Sequence, residues 1–96
     1  MKLIIANWKA YITTEKAAHN LFGVVKKAKI RKEVEVALCP PFIFLSHLSS
    51  VFGRPAFVKT SAGKKSSVKL GAQDVFWEMS GAYTGEVTIE MMTKLG

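Results

Sequence analysis

Three apolar runs in this chain open near residues 2, 34 and 68, and segments with helical periodicity separate them. A spacing of about 30 residues is the length of one strand followed by one helix. Strands that alternate with helices pair in parallel, because a parallel pair needs a long connection that a helix commonly supplies. The sequence therefore predicts an α/β fold in which three parallel strands are joined by helices.

The bounds of these elements follow from apolar spacing and from the residues that end each run. The first strand shows no alternation of apolar and polar residues, so we expect it to be buried on both faces. Thr13 or Thr14 is suited to cap the first helix and Thr88 the last one. Pro40-Pro41 ends the second strand because proline cannot continue a central ladder. The apolar stripe of the first helix comprises Ala17, Ala18, Leu21, Phe22, Val25 and Ala28. The other predicted elements are strands at 2–7, 34–39 and 68–73, helices at 42–52 and 88–95, and an exposed loop at 61–67.

The chain is basic, with 14 Lys and Arg residues against 7 Asp and Glu residues, and its net charge is +7. Surfaces that stack against bases have aromatic side chains among their basic residues. The basic residues of this chain are not interleaved with aromatic side chains in that way. We therefore interpret the charge as a solvated basic surface and predict no nucleic-acid partner. The alternative that the composition leaves open is a small basic α/β module that binds RNA or an acidic partner.

The composition also bounds compartment and size. A length of 96 residues allows one small domain. The single cysteine, Cys39, excludes an internal disulfide and fits a reducing, cytoplasmic compartment. No apolar stretch approaches the ~20 residues that span a bilayer, so no membrane partner is predicted. Two isolated histidines and one distant cysteine lack metal-ligand spacing, so no metal site is predicted.

The first strand ends in polar side chains. The run Leu3 to Ala6 stops at Asn7-Trp8-Lys9. In an extended chain Asn7 and Lys9 are two residues apart and point to the same face. An ammonium at the rim of an apolar core is costly unless it meets an anion. The strand end is therefore a candidate anion site.

Three segments, taken in order, resemble the N-terminal part of the triose-phosphate isomerase family. They are Ile4-Ile5-Ala6-Asn7-Trp8-Lys9, Cys39-Pro40-Pro41-Phe42-Ile43-Phe44-Leu45, and Leu70-Gly71-Ala72-Gln73-Asp74-Val75 continued by Gly81-Ala82-Tyr83-Thr84-Gly85-Glu86. The resemblance implies the first three βα units of a TIM (β/α)8 barrel, so that residues 1–96 are an N-terminal part of one barrel domain. It also implies cofactor-free interconversion of dihydroxyacetone phosphate and D-glyceraldehyde 3-phosphate, in glycolysis and gluconeogenesis.

The same resemblance implies roles for individual residues. Lys9 matches the catalytic lysine of the family, and Asn7 together with Lys9 matches the residues that bind the substrate. The family is itself a known example of tuned acid–base catalysis, with a glutamate base and a neutral histidine beside the lysine. That histidine lies in a Gly-His-Ser-Glu-Arg run which is absent from these 96 residues. We expect this chain alone to be inactive, and we expect no catalytic role for His19 or His47.

The resemblance also implies a role for the aromatic-rich loop at 74–86. In the family this loop reaches into a second subunit, which implies a homodimer with Thr84, Tyr83 and Glu86 as contact residues. The family usually has Met-Asn after the lysine, whereas this chain has Ala10-Tyr11. That difference leaves the subunit contacts of the first loop open.

Overall fold

The computed structural model describes residues 1–53 and 68–95 and contains alternating strands and helices. The elements are β1 (Lys2–Asn7), α1 (Glu15–Lys27), β2 (Val34–Cys39), α2 (Phe42–Phe52), β3 (Val68–Leu70) and α3 (Ile89–Leu95). This order confirms the predicted α/β alternation. The loop predicted at 61–67 lies outside the described residues.

The three strands form one parallel sheet in the order β1-β2-β3. Asn7 is in register with Cys39, and Leu38 is in register with Leu70. The carboxyl ends of all three strands therefore meet at one edge of the sheet. Polar groups that follow the strands are brought together at this edge, which is where ligands bind in parallel α/β folds.

The core lies between the sheet and the first two helices. Its buried residues are Trp8, Ala18, Phe22, Leu38, Phe44, Leu48 and Val68. Both α1 and α2 place a subset of their apolar residues there. The contribution of α1 is Ala18 and Phe22 from the predicted stripe. The stripe is narrower than predicted, because Ala17, Leu21 and Ala28 are exposed.

The helix starts follow the predicted capping chemistry. The hydroxyl of Thr14 accepts a hydrogen bond from the backbone N–H of Ala17 at 3.2 Å, and Glu15 lies in the first turn of α1. The hydroxyl of Thr88, which is buried, accepts from the N–H of Met91 at 3.3 Å at the start of α3. Both hydroxyls satisfy donors that have no partner within the helix.

Two strand predictions are wrong. Leu3, Ile4 and Ile5 are 59%, 53% and 63% exposed, so β1 is not buried on both faces. The reason is that the described residues leave these side chains uncovered. Among those residues β1 is also an edge strand, which pairs only with β2. The strand predicted at 68–73 ends at Leu70, because the N–H of Gly71 makes its last bond to the carbonyl of Leu38 and the chain then turns.

Candidate active site

Asn7 and Lys9 lie at the carboxyl edge of the sheet, on either side of a buried indole. Trp8 belongs to the core, and its backbone N–H donates to the carbonyl of Cys39 at 3.0 Å. Asn7 and Lys9 are both exposed. The buried ring therefore anchors the end of β1, and the two polar residues beside it are open to solvent.

The backbone leaves the extended conformation at Lys9. Its φ is +53°, in the left-handed region that costs a residue with a side chain about 1–2 kcal/mol. The side-chain oxygen of Asn7 accepts a hydrogen bond from the N–H of Lys9 at 2.8 Å. The expectation that the two residues share a face of an extended chain is therefore wrong. A hydrogen-bonded turn brings them together, since Asn side chains commonly bond to the backbone two residues on.

Gln73 fixes the same turn from the opposite side. Its side-chain amide donates to the carbonyl of Lys9 and to the carbonyl of Cys39, each at 2.9 Å. Both donors of one NH2 group are thereby used, and the carboxyl ends of β1, β2 and β3 are tied together. Gln73 belongs to the third segment of the family resemblance, but no site role was predicted for it. Its position at the end of a predicted strand was the signal that could have found it.

Cys39 is packed beneath this edge, against Gly71. A Cβ atom added at Gly71 would lie 2.9 Å from the Sγ atom of Cys39, which is too close for unstrained packing. Burial raises the pKa of the Cys39 thiol. A thiol with a raised pKa is a poor nucleophile at neutral pH, so Cys39 fits a packing role.

The ammonium of Lys9 is available to an external anion. Within residues 1–53 and 68–95, no carboxylate forms an ion pair with it. Three other lysines or arginines in the same part of the chain do form such pairs, namely Arg31, Lys69 and Lys94. The site can therefore offer an uncompensated positive charge on a fixed backbone.

The loop after β3 is closed at its base and exposes apolar side chains at its tip. The N–H of Phe76 donates to the carbonyl of Val87 at 2.7 Å, and the ring of Phe76 packs on Tyr83 at 4.7 Å between centroids. Trp77 is 75% exposed. Met79 and Tyr83 are partly exposed as well, and so are the predicted contact residues Thr84 and Glu86.

The histidines belong to helices and not to the strand ends. His19 and His47 are on α1 and α2, where they contact each other. In the described part of the chain, no three His, Cys, Asp or Glu side chains are grouped so that they could hold a metal ion. None of the helices described is long and apolar enough to cross a membrane.

The comparisons with known proteins agree on one family. The model of the family described as triosephosphate isomerase matches residues 2–96. The triosephosphate isomerase of Gloeothece citriformis is 42% identical over 99 residues, which cover 99% of this chain and 36% of that protein. The enzymes of Moorella thermoacetica and Dictyoglomus thermophilum are 38% and 36% identical over 94 residues, with 98% of this chain and 33% of each protein covered. The chain thus spans about a third of the length of these curated relatives.

Proposed function

Because the chain belongs to the triosephosphate isomerase family, we propose that it supplies the first three βα units of a barrel enzyme that interconverts dihydroxyacetone phosphate and D-glyceraldehyde 3-phosphate. The observation that carries this proposal is the exposed ammonium of Lys9, which pairs with no carboxylate in the described part of the chain and lies at the carboxyl edge of a parallel sheet. In barrels of this kind the active site lies at that edge.

The chemistry assigned to Lys9 is electrostatic. The substrate carries a phosphate dianion, and its carbonyl oxygen gains negative charge as an enediolate forms. An ammonium that is already in place stabilises that developing charge without reorganisation. The left-handed turn at Lys9, held by Asn7 and Gln73, supports such a preorganised position.

The proposed role of Asn7 is to bind the substrate. Its side-chain oxygen accepts from the N–H of Lys9, so its NH2 group is directed to another acceptor. A carbonyl or hydroxyl oxygen of the triose is a suitable acceptor. Asn7 thereby positions both the catalytic lysine and the substrate.

We propose that a polypeptide limited to these 96 residues does not catalyse the isomerisation. It supplies the lysine and the asparagine, whereas the glutamate base and the Gly-His-Ser-Glu-Arg histidine of the family have no counterpart in the sequence. Loss of one member of a cooperating catalytic set already costs several orders of magnitude in rate.

The aromatic loop at 74–86 supports a homodimer as part of this proposal. Trp77, Met79 and Tyr83 are 75%, 56% and 45% exposed, which is unusual for a cluster of large apolar side chains on a short loop. Insertion into a second subunit would bury them and would bring Thr84 and Glu86 into contact with it. We propose a cytoplasmic enzyme without a nucleic-acid or membrane partner.

The experiment that tests the proposal compares three proteins in an assay that couples the product to a dehydrogenase. The first is the 96-residue chain. The second, the joined protein, continues this chain with the remaining two-thirds of the Gloeothece citriformis relative. The third is the joined protein with Lys9→Met, which keeps the length of the side chain and removes its charge.

We expect turnover from the joined protein, none from the 96-residue chain, and a loss of at least about 100-fold with Lys9→Met. A joined protein that turns over equally fast with Lys9→Met contradicts the role of Lys9. Turnover by the 96-residue chain contradicts the proposed division of the catalytic residues. Salt-dependent binding of the chain to generic RNA would instead favour the basic binding module.

A further inference from the structure

Three ionisable side chains join α1 to α2. The Oε1 atom of Glu15 lies 2.7 Å from Nδ1 of His47, and Nε2 of His47 lies 3.0 Å from Nδ1 of His19. Glu15 and His19 are on α1, whereas His47 is on α2. The chain of contacts therefore crosses the helix interface twice.

The geometry of the two imidazoles is that of a direct hydrogen bond. Their ring centroids are 5.2 Å apart and their facing nitrogens 3.0 Å apart. The centroid distance exceeds the nitrogen–nitrogen distance by about two ring radii. The two nitrogens therefore lie near the line that joins the ring centroids. One nitrogen must donate and the other must accept, because a neutral imidazole has one N–H and one lone pair.

The carboxylate of Glu15 fixes the direction of both hydrogen bonds. A carboxylate only accepts, so Nδ1 of His47 donates to Glu15. In neutral His47, Nε2 is then the acceptor, and Nδ1 of His19 donates to it. Both imidazoles consequently carry their proton on Nδ1.

We propose that Glu15, His47 and His19 form a pH-sensitive clasp between α1 and α2, which accepts one added proton and opens when it receives a second. This role is separate from the proposed isomerase chemistry, because the clasp lies on helices outside the candidate active site. It concerns how the outer helices stay docked.

The first added proton leaves both hydrogen bonds in place. It binds at Nε2 of His19, and the proton on Nδ1 of His19 passes to Nε2 of His47. His47 is then an imidazolium between the carboxylate of Glu15 and the lone pair on Nδ1 of His19. The number of hydrogen bonds is unchanged, and the positive charge lies next to the carboxylate.

The second added proton removes the bond between the histidines. Within the two imidazoles the remaining lone pair is on Nδ1 of His19, and a proton bound there places two N–H groups and two positive charges against each other across 3.0 Å. Neither nitrogen can accept, and the rings must separate. The step is tested by lowering the pH through the range in which histidine side chains ordinarily change charge.

Within residues 1–53 and 68–95, no acid other than Glu15 pairs with either histidine. On α1, Lys16 lies one turn before His19, and Lys26 donates to the carbonyl of Phe52, whose ring packs on His19. The helix α2 has no ionisable side chain except His47. On α3 and β3, which pack on α2, Lys94 pairs with Glu90 and Lys69 pairs with Glu35.

The first test uses nuclear magnetic resonance of the 96-residue chain, with imidazole nitrogens labelled. At pH 8 we expect both histidines to show the Nδ1–H tautomer. Glu15→Gln removes the acceptor charge that fixes the tautomer, and His47 should then shift toward the Nε2–H form. Glu33→Gln, a carboxylate paired with Arg31 on the surface, is the matched control and should leave both tautomers unchanged. Histidines that both show the Nε2–H tautomer at pH 8 contradict the proposal.

The second test measures thermal unfolding at pH 7.5 and pH 5.0 for the chain and for His19→Phe. Phenylalanine retains the ring that packs on Phe52, and it cannot take up the second proton. We expect the melting temperature of the unsubstituted chain to fall by at least about 4 °C more than that of His19→Phe between the two pH values. Equal falls, or no cooperative unfolding at pH 7.5, overturn the clasp.

Discussion

The side-chain amide of Gln73 holds the carbonyl of Lys9 at 2.9 Å, although 64 residues separate the two along the chain. The same NH2 group holds the carbonyl of Cys39, also at 2.9 Å. A turn at the end of β1 is therefore fixed by a residue that follows β3. The position of the lysine ammonium depends on the whole three-stranded sheet rather than on the Asn7-Trp8-Lys9 segment alone.

Gln73→Glu should destabilise the chain and impair the joined protein. The substitution replaces the NH2 group by a carboxylate, which faces two carbonyl oxygens and cannot donate to either. We expect the free energy of unfolding to fall by about 1–3 kcal/mol, as measured by urea denaturation. In the joined protein, kcat should fall more than KM rises, because the ammonium loses its fixed position.

Gln73→Met is the control for that substitution, since it removes the donors without adding charge. Gln73→Met should lower the free energy of unfolding by less than Gln73→Glu does. If both variants unfold at the same urea concentration as the unsubstituted chain, the bonds from Gln73 to Lys9 and Cys39 contribute nothing measurable.

Lys9→Gly should stabilise the chain relative to Lys9→Met. Both variants lose the ammonium, but only glycine adopts a φ of +53° without steric cost. The expected difference in the free energy of unfolding is about 1 kcal/mol in favour of glycine. Both variants should lower the turnover of the joined protein by at least about 100-fold. A glycine variant that is less stable than the methionine variant would show that the turn is not strained.

The effect of Gly71→Ala on the free energy of unfolding should depend strongly on the side chain at Cys39. The added methyl group would lie 2.9 Å from the Sγ atom of Cys39, so we expect a loss of about 1–3 kcal/mol in stability. Cys39→Ala removes that sulfur, and the double variant Gly71→Ala/Cys39→Ala should be more stable than the sum of the single effects predicts. Urea denaturation of the four proteins in this cycle measures the coupling, and strict additivity would contradict the predicted contact.

The sequence was sufficient for the elements that depend on local patterns. The caps at Thr14 and Thr88 and the bounds of α2 follow from short-range chemistry, and the structure has them where they were predicted. The left-handed turn at Lys9 was not predictable in this way. A non-glycine residue stays in that region when its surroundings hold it there, and beside the local bond from Asn7 the turn is held by Gln73, which is distant in sequence.

The error at β1 has a different origin. A continuous apolar run such as Leu3-Ile4-Ile5 indicates a strand that is covered on both faces in the finished fold. The pattern does not reveal which residues provide the cover. In residues 1–53 and 68–95 the strand is an edge, and these side chains are more than half exposed.

The raised pKa of Cys39 predicts how stability changes with pH. Burial disfavours the thiolate in the folded chain, so the folded state holds its proton above the ordinary thiol pKa of about 8.5, where the unfolded state has lost it. The contribution of this thiol to the free energy of unfolding is therefore fully present below that pH, and it is lost as the pH rises through the folded pKa. Urea denaturation at pH 7.5 and 9.5 should show a smaller decline for Cys39→Ala than for the unsubstituted chain. An equal decline would assign the effect to other groups.

Thr84→Arg should weaken the proposed dimer of the joined protein without unfolding the subunit. Thr84 lies on the exposed tip of the 74–86 loop, where a long cation meets no steric obstacle in one chain but enters a close contact in a dimer. Sedimentation velocity should show a shift from dimer to monomer at micromolar concentration. Lys94→Arg, on a solvent-exposed face of α3, is the control and should leave the dimer intact. A Thr84→Arg protein that sediments as a dimer, with the same concentration dependence as the parent, would remove this loop from the subunit interface.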